Sequence, residues 1–422
     1  MNTTYTRNGR QRVVVTGIGA VTPLGNDAAS SWQALTAGKS GVSPITAFDA
    51  SAFPTRIAAN VKGFEAGKYM DPKEARRLSP FIHFAAAATA EAVAQAGLDF
   101  GKEDLNRVGV DVGSALGGAS LIEEQRLVLE TRGLRAINPT VITAIIINGA
   151  ACQIAIRYGI HGPVNAPVAA CATGTIALGD AYSRLAWGQA DVMIAGGTES
   201  VMTPLAIVSF ARLGATSQKN DTPEQACAPF DKGRDGTVIG EGAAIMLLET
   251  LEHADRRDAP ILAEVVGYGL TCDAYHLVAP DPTGEMAARA MRQALDSAGM
   301  TPDEISWVIA HGTGTPLNDV GETKAIKLAL GEAAARKTPI TSIKGALGHM
   351  LGAAGAISAV AAVQAINTGL LAPTINYRTP DPDCDLDYVP NVARSATVDA
   401  VLTNAFGFGG QNGCLVLRRF VA

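Results

Sequence analysis

A short run of branched apolar residues that stops at glycine recurs along this chain. It falls at residues 12–17, 107–114 and 191–199, then again at 261–269, 305–315 and 400–410. Runs of this length, rich in Val and Ile and bounded by glycine, predict strands buried on both faces. Between them lie Ala-rich stretches with helical spacing, at 80–97, 175–187, 284–299 and 345–370. Strands alternating with helices imply an α/β chain whose largely parallel sheets are covered by helices. The order of elements in the first part returns in the second, so the chain divides into two similar halves, residues 1–256 and 257–422. Two such halves facing each other bring their glycine turns to one seam.

Composition removes several classes of function. A net charge of −6 excludes a broadly basic nucleic-acid surface. The cysteines are scattered without CxxC or Cys/His spacing, which argues against a disulfide framework and a zinc site and for a reducing compartment. The long apolar runs at 144–156 and 353–366 are interrupted by Asn148, Gln153, Ser358 and Gln364, so they read as core helices rather than membrane spans. The basic start of the chain is too short for a signal peptide, and a soluble cytoplasmic protein is expected. Two nucleotide-like motifs fail on inspection. The Gly17 turn runs into Pro23 with its glycines misplaced for a dinucleotide site. Gly38-Lys39-Ser40 has Gln33 where a phosphate loop needs glycine.

The glycine turns carry the reactive residues. Cys171 follows the extended segment 163–168 and precedes a helix, and unpaired N–H groups at a helix start favour a thiolate. The second half offers His311 in Ala-His-Gly-Thr-Gly-Thr, Lys344 in Ser-Ile-Lys-Gly and His349 in Leu-Gly-His-Met. His253 falls in a charged run and reads as solvated. A cysteine with two histidines suits acyl transfer through a thioester and stabilisation of an enolate. Backbone N–H groups at Cys171 and at the Phe408 turn are candidates for an oxyanion hole. Lys344 disfavours a protonated histidine beside it, and if buried it needs a carboxylate, for which Glu322 and Asp319 are candidates. Metal ligation by the histidines is the rival use, disfavoured because no carboxylate completes a ligand set.

Four strings together resemble the elongating β-ketoacyl-[acyl-carrier-protein] synthases, the synthase II type and its type II polyketide relatives. They are Ala170-Cys171-Ala172-Thr173-Gly174, residues 310–315, Lys344-Gly345-Ala346-Leu347-Gly348-His349 with residues 351–355, and Phe406-Gly407-Phe408-Gly409-Gly410. The resemblance runs from about Arg12 to the end of the chain. It implies a thiolase-like fold, five-layered αβαβα, working as a homodimer. By the same resemblance Cys171 accepts an acyl chain, and His311 and His349 promote decarboxylation of a malonyl unit and hold the enolate. Lys344 pairs with Glu322, and Asp319 supports the site. Thr313 and Thr315 bind the phosphopantetheine arm, Phe408 gates the site, and Leu116, Phe210 and Phe406 wall the acyl pocket. Lys73, Arg76, Arg77 and Arg135 match residues facing acyl carrier protein. No permanently bound cofactor, metal, nucleic acid or membrane is implied; substrates arrive on the 4'-phosphopantetheine of the carrier.

Rival readings differ at named positions. A degradative thiolase carries a second cysteine where this chain has Phe406-Gly407-Phe408, and an initiating synthase pairs cysteine with one histidine and an asparagine. A non-catalytic chain-length subunit, the partner in a polyketide heterodimer, normally lacks the nucleophile that Cys171 supplies. Gly345, Val278, Gln411 and the stretch 140–147 depart from the usual fatty-acid pattern. They leave chain length, starter and pathway open.

Overall fold

The computed structural model describes residues 4–421. Its largest sheet has ten strands. The first half contributes β1 (Val13–Val21), β2 (Val108–Gly113), β3 (Val164–Asn165), β4 (Val192–Glu199) and β5 (Gly242–Thr250). The second contributes β6 (Ala263–Cys272), β7 (Trp307–Ile309), β8 (Ile340–Thr341), β9 (Ala400–Gly407) and β10 (Gln411–Arg418). From the middle outward, β1-β5-β4-β2-β3 on one side matches β6-β10-β9-β7-β8 on the other. The halves meet where β6 pairs antiparallel with β1, from Ala263 opposite Val15 to Val265 opposite Val13. Strand directions match as well, so the repeat in element order is a repeat in topology.

One expectation needs correction. The sheet is mixed rather than largely parallel, because β5 and β10 run antiparallel to both neighbours. For β10 the cause is plain: the turn from Gly407 to Gln411 is far too short for the crossover that a parallel strand requires.

Four helices complete the layers: α1 (Pro80–Ala96), α2 (Thr173–Ala186), α3 (Glu285–Ala298) and α4 (Ala354–Thr368). Helix α1 covers β1 and β5, α3 covers β6 and β10, and α2 and α4 pack on each other between the halves. This is the five-layered αβαβα arrangement. The glycines that imitate a dinucleotide motif serve the outer layers. A Cβ on Gly17 or Gly19 would lie 2.0 or 1.9 Å from the carbonyl oxygens of Ala92 or Ala88 in α1. Gly267 and Gly269 meet α3 in the same way, at 2.0 Å from Ala294 O and 1.9 Å from Ala290 O. The segment Leu351–Thr368, with a mean hydropathy of 1.4, is long and apolar enough to cross a membrane, but 83% of it is buried in the protein. Burial between two sheets explains its composition.

The two outer edges of the sheet are unlike. Strand β8 is buried, and Ile340 N donates to the carbonyl of Asp387 in a covering loop. Strand β3 is exposed on both residues, and Val168, Ile142 and Ile156 are also 51%, 66% and 74% exposed.

Two local readings also change. The charged, glycine-containing stretch 203–242 reads from the sequence as mostly loop, but it contains a helix at Pro204–Arg212, with Thr203 as a side-chain cap and Pro204 in the first turn, where its missing N–H costs nothing. His253 is buried rather than solvated. It lies between Glu249 (Nδ1 at 2.6 Å) and Glu103 (Nε2 at 2.8 Å), with Arg257 also on Glu249.

Candidate active site

The chain reaches Cys171 through a strained corner. Ala170 has φ of 47°, a left-handed value that costs a residue with a Cβ. A single 3-10 turn (Ala170–Ala172) then leads directly into α2. Helices α2 and α4 cross closely here because of glycine. A Cβ on Gly355 would sit 2.1 Å from Thr175 Oγ1, and one on Gly174 would sit 2.8 Å from Ala356 N. The close crossing brings the start of α2 to the segment that carries His349.

Cys171 Sγ lies 3.0 Å from His349 Nε2. The His311 ring stands edge-on to His349 with centroids 5.4 Å apart, and Phe406 packs on the other side of His311 at 5.6 Å. All three reactive residues are buried. They line a cavity of about 430 Å³ whose other walls include Phe210, Thr237, Ile239, Thr313, Thr315, Leu351 and Phe408. The Thr313 and Thr315 hydroxyls lie 2.9 Å apart.

Burial sets the electrostatics. Both histidines are held well below the ordinary imidazole range by burial and by the nearby Lys344 charge, so both are neutral at pH 7. Nδ1 of each ring is buried without a partner. An unpaired N–H costs more than an unpaired lone pair, so each proton belongs on Nε2. For His349 this aims a donor at the sulfur.

The Cys171 thiol departs from the helix-terminus expectation. Burial pushes it up to about 11; the Lys344 charge and the N–H groups of Phe408 and Cys171 pull the other way, and Glu199 raises it further. Desolvation of an anion outweighs a helix start. The resting sulfur is therefore a thiol ringed by donors that act once charge develops.

The expected Lys344–Glu322 pair is not a direct contact. Lys344 Nζ donates to the His311 carbonyl, while Glu322 accepts from the backbone N–H groups of His311 (2.7 Å) and Gly312 (2.6 Å) and from Asn404 Nδ2 (3.1 Å). The two charges clamp opposite sides of the same peptide turn and stabilise each other through space. Asp319 holds the next part of that turn, accepting from Gly314 N at 3.2 Å and Phe230 N at 2.7 Å. The donor atoms of Cys171, His311 and His349 lie within 4.8 Å of one another, close enough for a metal ion. Lys344, whose charge adds to burial in keeping both rings unprotonated, also opposes a dication at that point.

Phe408 is 37% exposed at the mouth, on a turn tied to a facing loop. Gly409 N donates to Leu277 O (2.8 Å), Asp273 N to Gly410 O (2.8 Å) and Asn412 Nδ2 to Asp273 Oδ1 (2.7 Å). Val278 of that loop and Phe406 both line the cavity, whereas Leu116 does not and is 43% exposed. Lys73, Arg76, Arg77 and Arg135 are exposed, and the Arg77 carbonyl accepts from Asn138, so the two basic segments are neighbours. Glu199 escaped the sequence reading. Fully buried at the end of β4, it accepts from Ser114 Oγ (2.8 Å), Ala115 N (2.8 Å) and Gly352 N (3.1 Å), and burial raises its carboxyl to about 7. The signal for it was an ionisable residue closing a strand that is otherwise apolar.

A cysteine, two neutral imidazoles and converging backbone donors on a duplicated five-layer scaffold define a thiolase-type acyl-transfer site. Residues 10–254 match the family model for the beta-ketoacyl synthase N-terminal domain, and residues 262–378 match that for the C-terminal domain. The chain belongs to the beta-ketoacyl synthase family. It is 48% identical over 410 residues to a 3-oxoacyl-[acyl-carrier-protein] synthase 2 of Coxiella burnetii, covering 97% of this chain and 99% of that one. A Synechocystis protein of the same name is 46% identical over 411 residues, with the same coverage. Among solved structures, the ishigamide ketosynthase/chain length factor superposes with a TM-score of 0.91 at 36% identity, covering 98% of this chain and 100% of that one. A type II PKS ketosynthase in complex with its acyl-carrier protein gives 0.90 at 36% identity, with the same coverage.

Proposed function

We infer that this protein elongates acyl chains by decarboxylative Claisen condensation, joining a Cys171-bound acyl group to malonyl-acyl carrier protein and releasing β-ketoacyl-acyl carrier protein. The approach of Cys171 Sγ to His349 Nε2 beside the neutral His311, inside a cavity passing Thr313 and Thr315, carries this reading. In the first step the Cys171 sulfur bonds to the acyl carbon, the bond to the pantetheine sulfur breaks, and the thiol proton ends on the departing pantetheine. The oxyanion formed on the way faces the N–H groups of Cys171 and Phe408. In the second step malonyl loses carbon dioxide, and the enolate oxygen is held by the Nε2 protons of His311 and His349. The enolate carbon then attacks the Cys171 thioester, and the freed sulfur recovers a proton from water.

Every role is filled by a side chain or an amide, so the reaction calls for no resident cofactor; the 4'-phosphopantetheine arm enters with the substrate. We assign that arm to Thr313 and Thr315, and the docking of acidic carrier protein to Lys73, Arg76, Arg77 and Arg135, in a reducing cytoplasm. Phe210 and Phe406 wall the acyl path. The bare β3 edge and the exposed apolar residues Val168, Ile142 and Ile156 support pairing with a second copy into a homodimer. Leu116 would become part of the acyl pocket on that face. Sedimentation of the purified chain as a monomer at micromolar concentration would exclude the homodimer and favour a distinct partner subunit.

The reaction is tested by intact-protein mass after incubation with acyl carrier proteins bearing chains of graded length. One acyl mass is expected on the wild type and none on Cys171→Ala. Label uptake by the variant would overturn the assignment, and the preferred length would report the pathway.

A further inference from the structure

The peptide turn that begins at His311 is held twice. Lys344 and Glu322 clamp its first residues. The carbonyls that follow, from Thr313 to Pro316, are all taken up by one other segment, residues 227–236. The Cys227 sulfur lies 3.8 Å from the Thr313 carbonyl, and Gly236 N donates to the Gly314 carbonyl at 3.0 Å. The Thr315 and Pro316 carbonyls accept from a single side chain, Arg234, through Nε and Nη2, each at 3.3 Å. Thr313, Thr315 and Pro316 line the catalytic cavity, whereas Cys227 and Arg234 do not. Arg234 therefore reaches the cavity only through the turn it holds.

The guanidinium is itself fixed. Its side chain is 5% exposed, and Nη1 donates to the Asp231 carbonyl (2.8 Å) and to Asp381 Oδ2 (2.5 Å). The Asp231 carboxylate in turn accepts from Arg378 N and Thr379 N, each at 2.6 Å. Asp319 Oδ2 lies 3.8 Å from Arg234 Nε, and its Oδ1 accepts from Gly314 N. Asp319 and Arg234 thus attract each other while gripping the same turn, one by an N–H and the other by two carbonyls. Glu322 and Lys344 do the same at His311. The first clamp places an imidazole; the second places the Thr313 and Thr315 hydroxyls, which lie 2.9 Å apart on that turn.

We propose that Arg234 is a positioning residue for the carrier arm: by holding the Thr315 and Pro316 carbonyls, it fixes the Thr313–Thr315 pair where the pantetheine of both substrates binds. Arginine suits this role because its planar fork meets two carbonyls and a carboxylate at set angles. A lysine ammonium is a point charge on a flexible stem and cannot hold all three.

The inference rests on the assignment of the arm to Thr313 and Thr315, so the test includes that pair. Arg234→Lys keeps the charge between Asp319 and Asp381 and loses the fork. The KM for acyl-carrier protein in acylation of Cys171, and that for malonyl-carrier protein in decarboxylation, should each rise about tenfold with kcat largely kept. Alkylation of Cys171 by iodoacetamide, which needs no arm, should keep its rate. Added to a Thr313→Val, Thr315→Val double variant, Arg234→Lys should raise KM no further, because no hydroxyl pair is left to place. Should Arg234→Lys fail to fold, Asp381→Asn, which loosens the guanidinium without touching the turn, should move both KM values the same way by a smaller factor. Unchanged carrier KM values in Arg234→Lys would overturn the proposal. So would slower alkylation or an additive effect in the triple variant, either of which makes Arg234 a support of the fold alone. Unchanged KM values in the Thr313→Val, Thr315→Val variant would instead remove the assignment of the arm itself.

Discussion

Equivalent corners of the two halves share a backbone and differ in chemistry. Before α2, Ala170 turns left-handed at φ 47° and Cys171 follows; before α4, Leu351 turns at φ 43° and Gly352 follows. One corner presents a sulfur. The other presents no side chain, and none would fit, since a Cβ on Gly352 would lie 2.6 Å from Ala115 N and 2.8 Å from Glu199 Oε2. The turn after β2 is a packed support around Ser114 and Glu199, whereas the turn after β7 carries His311 and is clamped by Lys344 and Glu322. In the proposed mechanism the first half thus supplies the nucleophile, and the second supplies the groups that act on it. Duplication accounts for the scaffold, and divergence at a few corners accounts for the reaction.

The largest effects should come from the second half. Both histidines are neutral, and in the proposed mechanism both donate to the enolate oxygen, so His311→Ala and His349→Ala should each lower malonyl decarboxylation roughly 100- to 1000-fold, the usual cost of one oxyanion donor. Cys171 should still accept acyl groups in His311→Ala, because the ring 3.0 Å from the sulfur is His349. Decarboxylation measured by carbon dioxide release, against acylation measured by mass, checks this. Loss of acylation in His311→Ala would blur the division between halves.

The nucleophile provides a second break point. With burial holding the Cys171 thiol at about 11, the thiolate fraction should grow about tenfold per pH unit through neutrality. The rate of iodoacetamide alkylation at Cys171 should follow, with a slope near one on a logarithmic plot from pH 6 to 9. A plateau below pH 8 would mean that α2 and Lys344 preform the thiolate after all.

How much of this was legible in the chain depends on where the physical cause lies. Cys171, His311, Lys344 and His349 were readable because each sits in a local glycine turn that can be recognised without its neighbours. The doubled order of strands was readable for the same reason. The direction of β5, the mixed sheet and the buried setting of His253 were not, because they depend on contacts between distant segments. The thiol shows the limit most clearly. Its helix start is local and visible, but the desolvation that outweighs it comes from the whole cavity. Glu199 belongs to the same class, since a partner 85 residues away leaves no local mark.

The outer layers test the opposite claim, that scaffold roles are equal. A Cβ on Gly19 would meet Ala88 O, and one on Gly269 would meet Ala290 O, at the same 1.9 Å, against backbone that cannot swing aside. Gly19→Ala and Gly269→Ala should each destabilise by about 1–3 kcal/mol, the range for overpacking, and by similar amounts. Urea midpoints compare them. A large effect in one half only would show that the halves do not share their helix packing equally.

The effect that contrasts the halves by sign is the pH dependence of stability. In the first half His253 lies between Glu103 and Glu249. Burial lowers its pKa, but those carboxylates more than offset this and raise it above the ordinary value. Its stabilising contribution is then complete below about pH 6.5 and is lost as pH rises through the folded value. In the second half His311 and His349 are held well below that range, so the unfolded chain takes up protons that the native rings refuse. Stability should therefore fall as pH drops below about 6.5, by about 1.4 kcal/mol per pH unit for each ring, until the folded values are reached. Urea unfolding at pH 5, 6.5 and 8 separates the two contributions. His349→Asn should flatten the acid side, and His253→Gln should flatten the alkaline side. If His253→Gln instead flattened the acid side, the imidazole between its two carboxylates would be neutral, and the contrast in charge between the buried histidines of the two halves would fail.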